Sequence, residues 1–235
     1  MIIELTKLNE LGKDIQLKAI KQNENSIRFI ENPDKDVQLA AVKKNVYSIQ
    51  HIKNPDKEVQ LAAVKENGNV IQYIDNPDRE IQLIAVKHDG RNIQFINNPD
   101  KELQLIAVNN DVFAIQYIEH PYKEVQLAAI KQYDYIIQFI KNPDKDVQLE
   151  SIKQNACSIL YINNIDKEVS DRIKIYETSH RKIYVFKNDN GKFKFSIGCQ
   201  KNISKETFIW RIHNTDGGLE KNPYRQEYLD ILKQY

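Results

Sequence analysis

A cysteine, a histidine and an aspartate near the carboxyl end have the side chains best suited to covalent chemistry. Cys199 stands just before a predicted helix, whose dipole would lower the pKa of the thiol, and His213 and Asp216 follow it. His213 lies at the far end of that helix, so a helix length separates it from the thiol. We therefore interpret Cys199 as a buried structural cysteine. A cysteine-dependent enzyme in the C-terminal domain is kept as the second alternative function.

Other motifs for catalysis or ligand binding are missing from the sequence. It contains no phosphate-binding loop, no dinucleotide fingerprint and no paired C-x-x-C motif. Its two cysteines, Cys157 and Cys199, are too few for a disulfide framework and lack the spacing of zinc ligands, which favours a reducing compartment. No apolar run approaches the roughly 20 residues of a membrane span, and the first residues do not form a signal peptide. We predict no catalytic residue, metal or cofactor, and a cytoplasmic location.

The charge balance argues against a polyanionic partner. Residues 1–164 contain 20 Lys and Arg and 23 Asp and Glu, so their net charge is 20 − 23 = −3. Residues 165–235 contain 14 and 10, so their net charge is 14 − 10 = +4. Neither part has the strong positive charge of a nucleic-acid-binding domain. Nucleic-acid binding is therefore the first alternative function rather than the preferred one.

A period of 22 residues predicts the elements that must position any functional side chain. The period holds over seven units, residues 11–164, and a half unit continues from 165 to about 176. Two of the constant positions are occupied by Pro33, Pro55, Pro77, Pro99, Pro121 and Pro143, and by Gln16, Gln38, Gln60, Gln82, Gln104, Gln126 and Gln148. A fixed period of this length is typical of a solenoid, in which each repeat stacks on the next.

Each unit is predicted to form a pair of short helices. In the third unit, Asn54 is predicted as the N-cap and Pro55 as the first helical residue. An apolar stripe from Val59 to Val64 has helical spacing, and a shorter second helix carries Ile71. The predicted fold class is mainly α: an α-solenoid of seven 22-residue helix-pair repeats with a small C-terminal α+β domain.

The run AAVKENGNVIQYIDNPDREIQLIAVKHDG resembles a family of short helical repeats of unknown function in bacterial and phage proteins. The shared theme is AVKxNGxxIQxIxNP, and the resemblance covers residues 11–164. It implies a shape similar to HEAT-like and armadillo-like solenoids, which mostly bind other macromolecules, and it supplies no catalytic residues. The IGCQ stretch followed by a tryptophan-containing helix resembles a tail module of phage-type repeat proteins. That resemblance implies an inhibitor that binds a host protein, such as a component of a defence system.

Three positions between the two helices vary from repeat to repeat, while most other positions are nearly constant. They lie at one end of every unit and are expected to form a ridge along the solenoid. Several carry aromatic or basic side chains, which are the types that anchor protein interfaces. The predicted protein-binding residues are Tyr47, Arg91, Phe113, Tyr135, Lys44 and His88. The alternative is that these positions simply drift and that the aromatic rings lie on neighbouring units.

Three further sets of residues recur at fixed positions. Aromatic residues are predicted to pack in the core rather than to stack bases: Phe29, His51, Tyr73, Phe95, Tyr117, Phe139 and Tyr161. Glutamines are predicted to form an amide ladder between repeats rather than the floor of a groove: Gln50, Gln72, Gln94, Gln116 and Gln138. Recurring lysines and acids, such as Lys65 and Glu58, are predicted to form solvated ion-pair faces rather than a phosphate-binding stripe.

The residues beyond the repeats predict a small α+β domain. Between Arg181 and Phe195, β-forming residues alternate around an Asp-Asn-Gly turn, which indicates a hairpin. Ser204 is a candidate N-cap for a helix, and Pro223 can open a final helix. The predicted domains are an N-terminal cap at 1–10, repeats at 11–176, and a hairpin with two helices at 177–235. The last of these is also expected to cover the exposed end of the repeats.

These features together predict a non-enzymatic protein-binding scaffold. A preformed surface can bind a partner with little ordering cost. The expected partner is a protein, nucleic acid is the less favoured partner, and no membrane contact is expected.

Overall fold

A computed structural model describes residues 5–197, 200–214 and 222–235. The chain divides into two compact units, at 1–121 and 122–235. Among the described residues, the first unit contains five helix pairs, and the second contains two helix pairs, a four-stranded sheet and further helices. The predicted fold class is therefore confirmed. None of the described helices combines the length and the apolar character that crossing a membrane requires.

In every repeat, a ten-residue α-helix is followed by a six-residue 3₁₀ helix. The first unit contains α1 (Lys13–Gln22), α2 (Lys35–Lys44), α3 (Lys57–Glu66), α4 (Arg79–His88) and α5 (Lys101–Asn110). Their 3₁₀ partners are Glu24–Phe29, Val46–His51, Gly68–Tyr73, Gly90–Phe95 and Val112–Tyr117, and a further 3₁₀ helix, Leu5–Glu10, precedes α1. The second unit contains α6 (Lys123–Gln132), the 3₁₀ helix Asp134–Phe139, α7 (Lys145–Gln154), the 3₁₀ helix Ala156–Tyr161 and α8 (Lys167–Asp171).

The start of the α-helix differs from the sequence prediction. Asn54 is not its N-cap and Pro55 is not its first residue, because α3 begins at Lys57 and its N-cap is Asp56. In the next two repeats, the asparagine of the Asn-Pro pair has a left-handed backbone, with φ of 48° at residue 76 and 49° at residue 98. Asparagine tolerates this conformation better than most residues, and proline disfavours the right-handed helical region in the residue before it. The Asn-Pro pair therefore forms the turn between repeats rather than the helix start.

The constant glutamine of the α-helix joins one inter-repeat loop to the next. Gln38 is buried, and its Nε2 donates to the Pro33 carbonyl at 2.8 Å. Its Oε1 accepts from the backbone N–H of Asp56, in the following repeat, at 3.1 Å. Gln148 makes the same two bonds in the second unit, each at 3.0 Å. A buried amide needs partners at both its oxygen and its nitrogen, and in these two repeats the glutamine has both.

Small aliphatic residues fill the space between the two layers of helices. In the third repeat, Val59, Ala63 and Val64 of α3 are fully buried. Ile71 of the 3₁₀ helix and Ile74 at its C-cap are at most 5% exposed. A 3₁₀ helix has three residues per turn, so residues three apart share one side. The two isoleucines therefore face inward together, and the two residues between them must face elsewhere.

The second unit ends in an antiparallel sheet with the strand order β1-β2-β3-β4. The strands are β1 (Ile173–Glu177), β2 (Lys182–Lys187), β3 (Phe193–Ile197) and β4 (Gln200–Ile203), and the helices α9 (Lys205–Asn214) and α10 (Gln226–Leu232) follow. The predicted hairpin is present as β2 and β3, with Gly191 at a φ of 74° in its turn. Phe195, Phe208 and Tyr228 contribute to the core that the sheet shares with the two helices.

Two strands of this sheet were not expected from the sequence. The period assigns residues 165–176 to a half repeat, but α8 ends at Asp171 and β1 begins at Ile173. The segment IKIYE alternates apolar and polar residues, and pairing with β2 satisfies its backbone hydrogen bonds. The change from helix to strand therefore comes before the boundary that the sequence suggests at 176 and 177.

Candidate protein-binding face

Each 3₁₀ helix of the first unit presents three positions on the side away from the isoleucines. We call the resulting surface the 3₁₀ face, and it has three columns. The variable column contains Asn25, Tyr47, Asn69, Arg91 and Phe113; the glutamine column contains Arg28, Gln50, Gln72, Gln94 and Gln116; the aromatic column contains Phe29, His51, Tyr73, Phe95 and Tyr117. All fifteen side chains are exposed or partly exposed. The face thus combines part of the predicted ridge with the aromatic set, which was predicted to lie in the core, and the glutamine set, which was predicted to bond between repeats.

The prediction that the aromatic column packs in the core is wrong. Phe29, Tyr73, Phe95 and Tyr117 remain between 37% and 42% exposed. In the third repeat, Ile71 and Ile74 occupy the inward side of the 3₁₀ helix, so Tyr73 is turned toward solvent. The aromatic column is therefore a surface feature, which sequence analysis missed because it assumed that regularly spaced rings are buried.

The prediction of an amide ladder between repeats is also wrong. Gln72 Nε2 donates to the Asn69 carbonyl at 3.0 Å, and Gln94 Nε2 donates to the Arg91 carbonyl at 3.1 Å. Each amide is therefore bound within its own 3₁₀ helix. The Oε1 atoms of these two glutamines accept no hydrogen bond from any residue that the structure describes, so both present an acceptor to solvent.

The variable column is held by contacts to the following repeat. Tyr47 Oη accepts from Asn67 Nδ2 at 3.0 Å. Arg91 Nε donates to Asp111 Oδ2 at 2.5 Å, and this bond raises the pKa of the arginine. Both side chains are nevertheless largely exposed, so their orientation is fixed while much of their surface remains available. The predicted binding residue Phe113 lies in the same column and is half-buried.

The two other predicted binding residues of the first unit make contacts within the chain. Lys44 Nζ donates to the Lys21 carbonyl at 2.8 Å and to the Ile20 carbonyl at 3.3 Å, at the end of α1. His88 lies against Gly68 of the preceding repeat, where an added Cβ would come within 2.6 Å of the histidine Cβ. Lys44 thus bonds to the end of the preceding α-helix and His88 packs against the preceding repeat. The predicted role of both residues in binding a partner stays a prediction.

Asn110 occupies the same position one repeat later and shows what this position does. Its Nδ2 donates to the Lys87 carbonyl at 3.0 Å, and its Oδ1 accepts from the Gly90 backbone N–H at 2.8 Å. The last carbonyl groups of an α-helix have no partner within the helix. We call this position the closing slot, because its side chain supplies that partner from the next repeat.

In the second unit, strand β4 supplies the closing side chain. Asn202 Nδ2 donates to the Ile152 carbonyl at 2.8 Å and to the Lys153 carbonyl at 2.5 Å, at the end of α7. Its Oδ1 accepts from the Ala156 backbone N–H at 3.2 Å, as Asn110 accepts from Gly90. β4 therefore closes the last repeat in place of a further helix, in agreement with the expectation that the C-terminal residues cover it.

Tyr135 of the predicted ridge lies beside this strand. Lys201 Nζ is 4.9 Å from the centroid of the Tyr135 ring and 2.6 Å from a carboxylate oxygen of Asp134. The Asp134 side chain is only 9% exposed, and its hydrogen bond raises the pKa of Lys201. Tyr135 thus takes part in a contact within the second unit, unlike the ring of Tyr47 in the same column of the first.

The recurring acids pair with lysines and an arginine of the adjacent α-helix. Lys35 Nζ is 2.7 Å from Glu58, and Arg79 is 2.8 Å from Glu102. These cations come from the first turn of the preceding α-helix and not from the Lys65 position, which the sequence also suggested. The ion pairs are solvated, and they lie on the α-helices rather than on the 3₁₀ face.

The structure brings together no catalytic set among the residues it describes. Cys199 and Asp216 lie outside the described residues, and His213 is exposed at the end of α9. Cys157 is partly buried, and burial raises the pKa of its thiol, which makes it less reactive at neutral pH. No group of three or more His, Cys, Asp or Glu in the described ranges is arranged to hold a metal ion.

The fold and the 3₁₀ face define a helical-repeat protein built from α/3₁₀ pairs. Residues 34–77, 56–99 and 78–121 each match the family model described as Domain of unknown function (DUF4116). Each match spans 44 residues, which is the length of two repeats, and successive matches are displaced by 22 residues, which is one repeat. These matches agree with a short repeat of unknown function over residues 34–121. No curated protein and no solved structure matched the chain.

Proposed function

We propose that this chain is a non-enzymatic protein-binding module that binds its partner through the 3₁₀ face of the first unit. The observation that carries this proposal is the exposed aromatic column. Aromatic side chains dominate the energetics of protein interfaces because each one buries a large area with few rotatable bonds. The core of these repeats is filled by aliphatic residues, and the rings, although partly covered, belong to residues that keep 37% to 42% of their surface exposed to a partner.

The glutamine column supports a polypeptide partner. Each glutamine amide has a carbonyl oxygen that can accept and an N–H group that can donate, which are the two groups needed to bind a peptide backbone. Gln72 and Gln94 each have an unused acceptor beside an exposed ring. A row of such pairs could bind backbone groups of a partner with its amides and apolar side chains with its rings.

Charge favours a protein over a nucleic acid. Residues 1–121 contain 15 Lys and Arg and 18 Asp and Glu, which gives a net charge of 15 − 18 = −3. The exposed acids Glu31, Asp75 and Glu119 follow the aromatic column closely in sequence and would repel phosphate groups. Nucleic-acid binding is the second candidate, because exposed rings can also stack bases. Such binding would weaken steeply as the salt concentration rises.

The phage-type resemblance makes a bacterial protein, such as a defence-system component, the first partner to test. We would use the tagged chain to capture proteins from a bacterial lysate with and without nuclease, and quantify them by mass spectrometry. A face variant would carry alanine in place of Tyr73, Phe95 and Tyr117. A matched control would carry glutamine in place of Lys43, Lys65 and Lys87, which are exposed on the α-helices.

We expect the unaltered chain and the control to capture the same protein in the presence of nuclease. We expect the face variant to capture at least about tenfold less, since truncating one dominant interface residue costs about 2 kcal/mol or more. Circular dichroism would verify that all three proteins are folded. Equal capture by the face variant would disprove the proposed face, and capture that disappears with nuclease would favour the nucleic-acid candidate.

The predicted ridge gives a second test. Alanine in place of Tyr47, Arg91 and Phe113 should also reduce capture, because these residues adjoin the glutamine column. Tyr135→Ala should instead lower the stability of the second unit and leave capture unchanged, because its ring contacts Lys201. Loss of capture in the Tyr135 variant without loss of stability would show that the partner also contacts the second unit.

A further inference from the structure

We infer that a depression between the third and fourth repeats of the 3₁₀ face binds an arginine side chain of the partner. The depression has a volume of about 350 Å³. Ile71 and Ile74 contribute its apolar part, and Gln72, Asp75, Phe95 and Asn97 contribute its carboxylate, amides and ring. The inference rests on the proposed function, because it names the chemistry by which one point of that face recognises a polypeptide.

Asp75 supplies the charge that would attract a cation. Its side chain is exposed and forms no ion pair or hydrogen bond with the residues that the structure describes. The acids on the α-helices differ, since Glu58 and Glu102 are paired with cations of the adjacent repeats. Asp75 is therefore a carboxylate that is available to a ligand beside an exposed aromatic ring.

The mixture of groups favours arginine over lysine. A guanidinium group is planar, has five N–H donors, and stacks on aromatic rings while it bonds to a carboxylate. Phe95 offers a ring that is 38% exposed, and Gln72 offers an amide oxygen without a donor among the described residues. Asp75 and Gln72 together can accept several of the five N–H groups, whereas the ammonium group of lysine has three donors and no planar surface.

Comparison with the other junctions of the first unit shows why this one is distinctive. The position of Asp75 is occupied by Glu31, Lys53 and Asn97 in the first, second and fourth repeats. Lys53 would repel a guanidinium group, and Asn97 has no charge. Glu31 is followed by His51 in the next aromatic position, whereas Asp75 is followed by Phe95. Among these four junctions, a carboxylate and a neutral carbocyclic ring are combined only at the third.

The second unit provides an occupied example of the same chemistry. There the Lys201 ammonium lies 4.9 Å from the Tyr135 ring centroid and 2.6 Å from the Asp134 carboxylate. A cation from β4 thus already pairs with one aromatic ring and one carboxylate of a repeat. The depression at Asp75 offers these two groups, and no cation is among the described residues that line it.

The test is a titration of the isotope-labelled full chain with acetyl-arginine methylamide, followed by nuclear magnetic resonance. The uncharged analogue acetyl-citrulline methylamide has almost the same shape and serves as the control ligand. We expect the side-chain amide signals of Gln72 and Asn97 to shift in a saturable way with the arginine compound, with half-saturation in the millimolar range. We expect the citrulline compound to bind at least about tenfold more weakly, because a charge-assisted hydrogen bond is lost.

Two charge-neutralising variants make the test specific. Asp75→Asn should weaken arginine binding about tenfold, since it removes the carboxylate and keeps the shape. Glu31→Gln removes the carboxylate of the equivalent position in the first repeat, and it should leave binding at Gln72 and Asn97 unchanged. Three results would each overturn the inference. The unaltered chain could bind both compounds with equal affinity, the Asp75→Asn variant could bind the arginine compound as tightly as the unaltered chain does, or no saturable shift could occur.

The result can be separated from the test of the proposed function. If the face variant loses its partner but the arginine compound does not bind, the face binds protein and the arginine site is wrong. If the arginine compound binds as expected but the face variant still captures its partner, the site exists and the proposed binding face is wrong.

Discussion

The repeats of the first unit and the last repeat of the second unit share one sequence period but have different neighbours. In the first unit, the end of α4 is closed by Asn110 of the next repeat. In the second, the end of α7 is closed by Asn202 of a β-strand. Lys87 and Lys153 are equivalent carbonyl positions, and Gly90 and Ala156 are equivalent N–H positions. The asparagine that bonds to them comes from a helix in the first unit and from a strand in the second. The polar partner at this end of a repeat can therefore come from a strand as well as from a further repeat.

The largest effect should come from removing the closing asparagine of the second unit. We expect Asn202→Ala to lower the free energy of unfolding of that unit by roughly 2–4 kcal/mol, because several buried or partly buried groups lose hydrogen bonds. Urea unfolding followed by the fluorescence of Trp210, the single tryptophan, would measure the change in the second unit.

Two controls separate the hydrogen bonds from backbone strain. Asn202 has a φ of 45°, which alanine adopts unfavourably and glycine adopts freely. Asn202→Gly lacks this strain but also lacks the hydrogen bonds, so it should be more stable than Asn202→Ala by only about 1 kcal/mol. The Asn110 side chain is exposed, so Asn110→Ala should lower the free energy of unfolding of the first unit by only about 1 kcal/mol. If Asn202→Ala costs no more than Asn110→Ala, the strand does not close the last repeat in the way we describe.

The next largest effect should come from a methyl group at Gly90. A Cβ there would lie 2.3 Å from the Ala107 carbonyl oxygen and 3.1 Å from the Asp111 backbone nitrogen. We expect Gly90→Ala to cost roughly 1–3 kcal/mol, because the backbone of the next repeat must move. Thermal unfolding by circular dichroism would measure it.

The same slot in the last repeat provides the comparison. There Ala156 is fully buried, and its backbone N–H bonds to Asn202 of β4. Ala156→Gly should therefore destabilise the chain, by about 1 kcal/mol. The methyl group is part of the native residue at 156, whereas at Gly90 it is an addition. A neutral Gly90→Ala variant would show that adjacent repeats can separate at this point without loss of stability.

The repeat architecture could be predicted because it depends on local pattern. The positions of Pro55, Gln60 and Ile74 recur without insertion, and in the third repeat they supply a loop proline, an amide that donates to the carbonyl of that proline, and a core isoleucine. Hairpin β2–β3 was predicted for the same reason, since its turn residues and alternation are local signals.

The features that were mispredicted depend on geometry that the pattern does not encode. A short second helix carrying Ile71 was expected, but the sequence did not distinguish an α-helix from a 3₁₀ helix. The sequence also did not show that Val70, Ile71 and Ile74 fill the buried positions of this segment and leave Tyr73 partly exposed. Strand β1 was missed because residues up to 176 were read as part of the repeat period. Its pairing partner β2 lies beyond that period, so the period gave no sign of the contact.

The candidate site was therefore predicted only in part. Tyr47, Arg91 and Phe113 were identified as exposed variable residues, and the structure places them on the 3₁₀ face. Tyr73 and Phe95 were assigned to the core, although an exposed stacking surface was the stated alternative. The pairing of Asp75 with Phe95 could have been found by comparing equivalent positions across junctions, since it combines residues 20 positions apart in successive repeats.

A smaller effect should appear when the pH rises above about 10. The hydrogen bond with Asp134 raises the pKa of Lys201 above 10.5, so that contact stabilises the second unit until the pH passes the raised value. Burial and a hydrogen bond to Tyr176 raise the pKa of Tyr235. Its unfolded form loses a proton above pH 10.0 while the folded form keeps it, so stability falls there as well.

We expect the second unit to lose stability first in this range. The raised pKa values in the first unit belong to exposed cations such as Lys35, which contribute little because solvent screens them. Urea unfolding from about pH 8 to about pH 11, followed by Trp210 fluorescence and by circular dichroism, would compare the units. The prediction would be contradicted if Trp210 fluorescence and circular dichroism reported the same loss of stability with pH. It would also be contradicted if the second unit kept its stability at the highest pH. Lys201→Met should make the second unit less sensitive to pH.

The smallest effect should come from the ion pairs between adjacent α-helices, and it should be small in both units, although Glu168 also pairs with Arg172 at 2.8 Å. Lys35 and Glu58 are 2.7 Å apart in the first unit, and Lys145 and Glu168 are 2.8 Å apart in the second. All four side chains are exposed, so Glu58→Gln and Glu168→Gln should each change the unfolding free energy by an amount near the limit of measurement.

Acid titration can detect the second pair more sensitively than a single stability measurement. The hydrogen bonds from Lys145 and Arg172 lower the pKa of Glu168 below 4.5. Its contribution is therefore present above that value and disappears as the pH falls through the lowered pKa. The difference between the unaltered chain and Glu168→Gln should shrink to zero in that range and should also decrease in high salt. If this difference in unfolding free energy persists in acid, the Glu168→Gln substitution acts on packing rather than on charge. The two units would then differ at their ion pairs as well as at their closing slots.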